Sequence, residues 1–97
     1  MIRRRHGGGW LLITQDDHAR LSGELAGRIG NTDFEALASR AVLGIGLHDA
    51  GWPIHDDQPT LDSKNLPLDI FETSREIGVT VWADSTRRAA EVDPYAG

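Results

Sequence analysis

One stretch decides how we expect the chain to fold: residues 43–52 read LGIGLHDAGW. Its apolar first half suits a helix, and His48 and Asp49 follow just before Gly51, a residue type that often ends helices. Imidazole and carboxylate groups bind divalent cations such as Zn²⁺, Mn²⁺, Fe²⁺ and, through the carboxylate, Mg²⁺. Neighbouring helix residues point about 100° apart, so one cation reaches both only near a helix end. The stretch therefore predicts a metal-ligand pair at a helix terminus.

Two helices are predicted around this pair. The first runs over about 15–29, is capped by Thr14, and carries His18 on its inner face. The second runs over about 33–49 from a capping box that begins at Thr32, and its periodicity places His48 on the core side. The other members of the first inner face are Leu21, Leu25 and Ile29. Two inward histidines on adjacent helices are expected to converge, although a single inward histidine is more often a hydrogen-bonded core residue.

The remaining chain predicts a hairpin and one further helix. Short β-capable runs on either side of three glycines indicate a hairpin over 2–14, and capping-box spacing at Thr73 predicts a helix over 74–92. Its expected inner stripe is Ile77, Val81 or Trp82, Ser85 and Ala89. Between the helices, residues 51–67 are rich in helix breakers and predict a long connection. The end at Asp93-Pro94 has the pattern of another helix start, so we expect residues 1–97 to be the N-terminal part of a longer domain.

Composition narrows the classes of function. The 97 residues suit one small domain, and a net charge of -5 disfavours nucleic acid as the main partner. There is no cysteine, so any metal must be held by nitrogen and oxygen ligands. The sequence has neither an apolar run of about 18 residues nor a signal-peptide core, which predicts a cytoplasmic protein without a membrane partner. No Lys or Arg occurs over residues 41–63, so the local field there favours a cation.

The spacing of His18 and the later His48-Asp49 dyad resembles the HD superfamily of metal-dependent phosphohydrolases. The resemblance implies a divalent metal (Mn, Fe, Zn or Mg) held by His18, His48 and Asp49, a metal-bound water carried by Asp49 as nucleophile, and a small phosphorylated substrate. No catalytic side chain is identified. The superfamily also takes an Asp from a late helix, which has no clear counterpart here: Asp84 on the third helix could substitute, but it is expected to face solvent beside Arg87 and Arg88. The implied fold is mainly α, with the N-terminal β-hairpin packed on a partial HD-like helical bundle of about three helices.

A closer similarity covers nearly all of the chain. The segment GWLLITQDDHARL (residues 9–21), the segment LHDAGW (47–52) and the closing DPYAG (93–97) are similar to an uncharacterised bacterial family of unknown function whose members are longer chains. That similarity supports the expectation that residues 1–97 are an N-terminal part.

Several alternatives stay open. His55 and Asp56 are expected to be ordinary polar loop residues, or else a lid or outer shell over the metal site. The three tryptophans Trp10, Trp52 and Trp82 are expected to be core and loop anchors. The rival to a hydrolase is a non-catalytic, degenerate HD-like module that associates with a partner or with itself through the third helix. A small-ligand sensor that uses the same pocket is a further alternative.

Overall fold

A computed structural model describes all residues 1–97, as an N-terminal antiparallel hairpin followed mainly by α-helices. The elements are β1 (Ile2–His6), β2 (Gly9–Ile13), α1 (Gln15–Ala26), α2 (Ser39–Leu47), α3 (Pro53–Asp57) and α4 (Arg75–Val92), with a short 3-10 helix over Ile70–Glu72. The prediction of a mainly α fold with an N-terminal hairpin is confirmed. No helix combines the length and the apolar character needed to cross a bilayer.

The hairpin forms where the sequence predicts it. Strands β1 and β2 pair antiparallel, from Ile2 opposite Ile13 to His6 opposite Gly9. Gly7 in the connecting turn has a φ of 58°, a left-handed conformation that glycine adopts at little cost. The turn therefore depends on a residue without a Cβ.

Arg3 fastens this hairpin to the segment before α4. Its backbone N–H donates to Asp69 at 2.9 Å, and its guanidinium donates to Asp62 at 2.7 Å and to Glu72 at 2.8 Å. The backbone N–H of Leu66 and the Arg3 guanidinium lower the pKa of Asp62. The hairpin is thus attached to residues 62–72 by hydrogen bonds between oppositely charged groups.

Helix α1 begins as predicted but buries a different face. The Thr14 hydroxyl accepts a hydrogen bond from the Asp17 N–H at 3.1 Å, so Thr14 is the N-cap. The helix ends at Ala26, three residues before the predicted 29. Its buried residues are Gln15, Ala19, Gly23 and Ala26, whereas Leu21, Leu25 and Ile29 are exposed. The prediction of the inner face was wrong because the large aliphatic residues lie on the outer side of the helix and small ones face the neighbouring helix.

Helix α2 is shorter than predicted at its N-terminus. It begins at Ser39, and the expected capping box at Thr32 does not form. Instead, the side-chain oxygen of Asn31 accepts hydrogen bonds from the N–H groups of Asp33 (2.8 Å) and Phe34 (2.9 Å). This Asx turn gives the backbone a competing arrangement, which holds residues 31–34 out of the helix.

Helices α1 and α2 approach each other closely at two glycines. A Cβ added to Gly23 would lie 2.9 Å from the Cα of Gly46, which is closer than real Cβ contacts occur. Gly23 is therefore the glycine that this contact requires. A Cβ on Gly46 would lie 3.8 Å from the Gly23 Cα, and one on Gly44 would lie 3.6 Å from the Ala96 Cα, which are ordinary contacts. The two backbones can approach this closely because Gly23 has no side chain.

Helix α4 packs its predicted stripe against the end of α2. The Ser74 side chain caps the helix, and Val81, Ser85 and Ala89 are buried. The Gly51 N–H donates to the Ser85 hydroxyl at 2.9 Å. Trp82, the alternative to Val81 in that prediction, is 69% exposed. The inner face therefore passes through Val81.

The connection between α2 and α4 is more ordered than predicted. It contains α3 and an isolated antiparallel bridge between Leu61 and Pro67. Trp52, just before α3, is 5% exposed and acts as the loop anchor expected of it. Trp10 is half exposed, with the guanidinium carbons of Arg3 and Arg5 within 5.3 and 5.4 Å of its ring centroid.

The glycine contact between α1 and α2 gives a testable pair of variants. Gly23→Ala should lower the free energy of unfolding by about 1–3 kcal/mol, because its methyl group would overlap the backbone of α2. Gly46→Ala is the matched control: its Cβ would lie 3.8 Å from the Gly23 Cα, an ordinary contact. It should leave stability unchanged or raise it by up to about 1 kcal/mol through helix propensity. Urea denaturation followed by circular dichroism measures both. Equal midpoints for the two variants would contradict the packing described.

Candidate metal centre

The structure brings the three sequence-predicted ligands together at one end of the α1 and α2 pair. His18 lies in the second turn of α1, His48 is the C-cap residue of α2, and Asp49 follows it. One potential ligand atom from each lies within 4.8 Å of the others. The two imidazole rings meet edge to face, with centroids 5.5 Å apart and planes at 82°. The predicted convergence of two histidines and one carboxylate on one point is therefore present in the fold.

The backbone defines which nitrogen of His48 faces the site. Its Nδ1 lies 2.6 Å from the carbonyl oxygen of Ile45. A carbonyl oxygen only accepts hydrogen bonds, so Nδ1 carries the proton. In the neutral ring, Nε2 then presents a lone pair, and this atom lies 3.2 Å from Oδ2 of Asp49. His48 is partly exposed, with 43% of its side chain accessible, so the prediction that it lies on the core side was wrong. Its position at the helix end places it at the rim of the site.

Gln15 lies against Asp49 on the buried side of the site. The carboxylate belongs to a buried residue, and its Oδ2 accepts a hydrogen bond from Gln15 Nε2 at 3.2 Å. Gln15 is itself 2% exposed, and its Oε1 is buried without a hydrogen-bond partner. The buried side of the site therefore contains one carboxylate and one amide whose hydrogen bonds are incomplete.

Behind Gln15, a second buried carboxylate anchors the start of α1. Asp56 in α3 accepts a hydrogen bond from the Gln15 backbone N–H at 2.6 Å through Oδ2. Its Oδ1 lies 2.7 Å from the N-terminal amine of Met1. A carboxylate at a helix N-terminus also interacts favourably with the helix dipole. Asp56 thus connects the chain start, α1 and α3, and it supports the site from behind.

Comparison with known proteins identifies the family. A family model for proteins of unknown function, DUF3891, matches residues 1–97. The chain belongs to DUF3891. No curated protein and no solved structure matches it significantly. The prediction of an uncharacterised family is therefore confirmed, and the arrangement of side chains is the available guide to the chemistry of this DUF3891 chain.

Two groups of predicted residues lie outside the three-residue cluster. Asp84, the alternative considered for a late metal ligand, pairs instead with Arg87 on α4 at 3.3 Å, as its expected position beside that arginine implies. His55 stacks edgewise near Trp52, with ring centroids 6.2 Å apart, and lines a small separate cavity together with Asp56. In this DUF3891 chain Asp56 is an anchor of α1, and neither it nor His55 belongs to the three-ligand cluster.

The sequence interpretation missed Gln15. Gln15 opens α1 and lies three residues before His18, which places the two side chains on the same face of the helix. That spacing was readable from the sequence. It acquires meaning only once Asp49 is known to lie opposite, since a lone Gln in a first helical turn is otherwise unremarkable.

The Asp56 anchor should be measurable as stability. Asp56→Asn replaces one acceptor oxygen by an NH₂ group that would face a donor, so we expect the free energy of unfolding to fall by about 1–3 kcal/mol. Asp57→Asn is the matched control, because Asp57 is the exposed neighbour on the same helix. Chemical denaturation compares the two. A loss of the same size in both would show that the buried contacts of Asp56 are not the cause.

Proposed function

We propose that this chain is an HD-like, metal-dependent hydrolase domain that acts on a small phosphoester, with His18, His48 and Asp49 as the metal ligands. The observation that carries the proposal is the 3.2 Å approach of His48 Nε2 to Asp49 Oδ2 while Nδ1 is committed to the Ile45 carbonyl. The reaction class comes from the HD resemblance of the ligand spacing. The three ligands are those chosen from the sequence, and their proximity in the fold supports that choice.

The electrostatics of this pair favour a positive charge between the two atoms. With Nδ1 protonated, a neutral His48 ring directs a lone pair at a carboxylate oxygen, which is repulsive. Either a second proton on the ring or a cation removes the repulsion. Two donors bound to one cation at about 2.0–2.2 Å, with an angle of about 90–110° between them, lie roughly 2.8–3.6 Å apart. The 3.2 Å separation falls in that range.

The position of His18 favours a cation, rather than a second proton on His48, between His48 Nε2 and Asp49 Oδ2. It supplies a third donor from a different helix, and all three ligand atoms lie within 4.8 Å of one another. Donors on opposite sides of one cation lie at most roughly 4.4 Å apart, so moving one ring nitrogen by less than about 1 Å brings all three donors within range of one cation. The Nδ1–H to backbone carbonyl bond of His48 is also the outer contact that metal-bound histidines usually make. The donor set therefore fits a divalent cation.

The residues around this point suit a small substrate. A bound divalent cation would supply Lewis acidity and activation of a water toward a phosphoester. Asp49 would hold that centre from the buried side, and the exposed His48 would leave its other side open. His48 also lines a cavity of about 210 Å³ between α2 and α4, whose other walls include Gly44, Ser85 and Thr86. That volume fits a small phosphorylated molecule better than a polymer.

The first test is metal uptake. The folded chain, incubated with Mn²⁺ or Zn²⁺ and then dialysed, should retain about one or two equivalents by elemental analysis. His48→Ala should lose most of this metal because it removes one of three ligands. It should also lose hydrolysis of an aryl phosphoester by the metal-loaded chain. Circular dichroism should show both proteins folded, since His48 is partly exposed.

His6→Ala is the control for nonspecific histidine binding, because His6 lies at the exposed end of β1. It should retain metal at the level of the unmodified chain. A folded unmodified chain that takes up neither cation would refute the metal site and, with it, the hydrolase.

A second candidate function has its own observation. Exposed apolar side chains line a groove of about 600 Å³ between the 3-10 helix and α4. Phe71 is 95% exposed and Trp82 is 69% exposed, and Val79 lies in the same wall. Apolar surface of this kind favours association. The alternative proposal is a non-catalytic module in which a second copy of the chain covers this groove.

Association can be tested independently of metal. If a second copy covers the groove, Trp82→Ser should shift light-scattering masses from dimer towards monomer at a given concentration. Trp10→Ser is the matched control, because Trp10 is half exposed but lies on the hairpin. A monomeric unmodified chain at all concentrations would exclude the alternative.

A further inference from the structure

Gln15 occupies an unusual position beside the proposed metal site. It is the first residue of α1, one turn before His18, and only 2% exposed. Its Nε2 lies 3.2 Å from Oδ2 of Asp49, and its Oε1 is buried with no hydrogen-bond partner. Burying an amide oxygen without a partner costs free energy, so such atoms in folded proteins usually meet a ligand, a water or an ion. The amide adjoins the carboxylate that the site depends on.

The Gln15 side-chain amide can occupy the same space in two orientations, which differ in the positions of its nitrogen and its oxygen. In one, the NH₂ group donates to Asp49 and the oxygen is left unpartnered, as in the structure. A half-turn about the last side-chain torsion exchanges nitrogen and oxygen, which directs the carbonyl oxygen at the carboxylate. Two acceptor oxygens facing each other are repulsive unless a cation lies between them. The lone pair of His48 Nε2, which also lies 3.2 Å from this carboxylate oxygen, is likewise repelled unless a cation lies between the two atoms.

We propose that Gln15 is a fourth ligand of this metal site, bound through its side-chain oxygen, an inference that rests on the proposed metal-binding function. Two other ligand atoms would then lie next to Asp49 Oδ2: His48 Nε2 on the exposed side of the site and the Gln15 amide oxygen on the buried side. The donor set becomes two imidazoles, one carboxylate and one amide oxygen, a mixture suited to borderline cations such as Mn²⁺, Fe²⁺ or Zn²⁺.

This assignment completes the site within the first two helices. The HD resemblance implies an additional Asp from a late helix, and Asp84 is instead paired with Arg87 on α4. Gln15 needs no contribution from α4, because it lies on the same face of α1 as His18. A neutral amide in that position leaves the cation with more positive charge than a second carboxylate would.

The competing role is a positioning one, in which Gln15 only donates from Nε2 to orient Asp49. Gln15→Glu separates the two roles, because a carboxylate binds a cation but has no N–H to donate. Gln15→Leu removes both functions with a similar volume. A ligand role predicts that the Glu variant binds metal well and the Leu variant poorly, whereas a positioning role predicts that both bind poorly.

The experiment titrates the metal-free chain with Mn²⁺ and with Zn²⁺ in a calorimeter. Gln15→Leu should weaken binding by about 10–100-fold, the size seen when supporting groups of metal sites are removed. Gln15→Glu should bind at least as tightly as the unmodified chain. Gln58→Leu and Gln58→Glu are the matched controls, since Gln58 is the other glutamine and is exposed. Should Gln15→Leu fail to fold, Gln15→Asn replaces it, because Asn withdraws the amide by one methylene.

The outcomes distinguish this inference from the function on which it rests. Weak binding by both Gln15→Glu and Gln15→Leu would overturn the ligand role, as would unchanged binding by Gln15→Leu. A folded unmodified chain that binds neither Mn²⁺ nor Zn²⁺ would overturn the metal site itself. Tight binding by Gln15→Glu together with weak binding by Gln15→Leu supports the fourth ligand.

Discussion

The contact between the backbones of α1 and α2 is the constraint on which the site depends. At Gly23 and Gly46 the helices are so close that a methyl group on the first would lie 2.9 Å from the second. His18 lies five residues before Gly23, and His48 two residues after Gly46. The distance between the histidine rings therefore depends on the close approach that Gly23 allows. Close packing without interposed side chains also leaves little freedom for the helices to slide.

The end of α2 is fixed by a second close contact, this one with α4. A Cβ on Gly51 would lie 2.8 Å from the backbone nitrogen of Ser85, and the Gly51 N–H already donates to the Ser85 hydroxyl. Because residues 48–51 form the turn that follows α2, this contact determines how His48 and Asp49 are presented. The stripe on α4 therefore serves the site without contributing a ligand to it. The dyad is held from α1 on one side and from α4 on the other.

Sequence reasoning succeeded where the signal was local or periodic. The Thr14 cap, the hairpin turn and the burial of Ser85 and Ala89 follow from residue type and spacing alone, whereas the spacing left Val81 and Trp82 as alternatives. It failed for the buried face of α1, because large aliphatic residues are the usual sign of a core and here small residues face the partner helix. It also failed at Thr32, where the Asn31 side chain captured the backbone groups that a longer α2 would have used.

In the candidate site, too, some features could be predicted from the sequence and others could not. His18, His48 and Asp49 could be chosen from the sequence because nitrogen and oxygen donors near a helix end form a recognisable pattern. The proton on His48 Nδ1 and the incomplete bonding of Gln15 could not, because each depends on an atom from elsewhere: the Ile45 carbonyl in one case and the Asp49 carboxylate in the other. The first directs a nitrogen lone pair at Asp49 Oδ2, and the second leaves a buried amide oxygen unpartnered beside the same carboxylate. The cation of the proposed site would bridge His48 Nε2 and Asp49 Oδ2 and, after a half-turn of the amide, the Gln15 oxygen as well, whereas a second proton on His48 would bridge only the first two atoms.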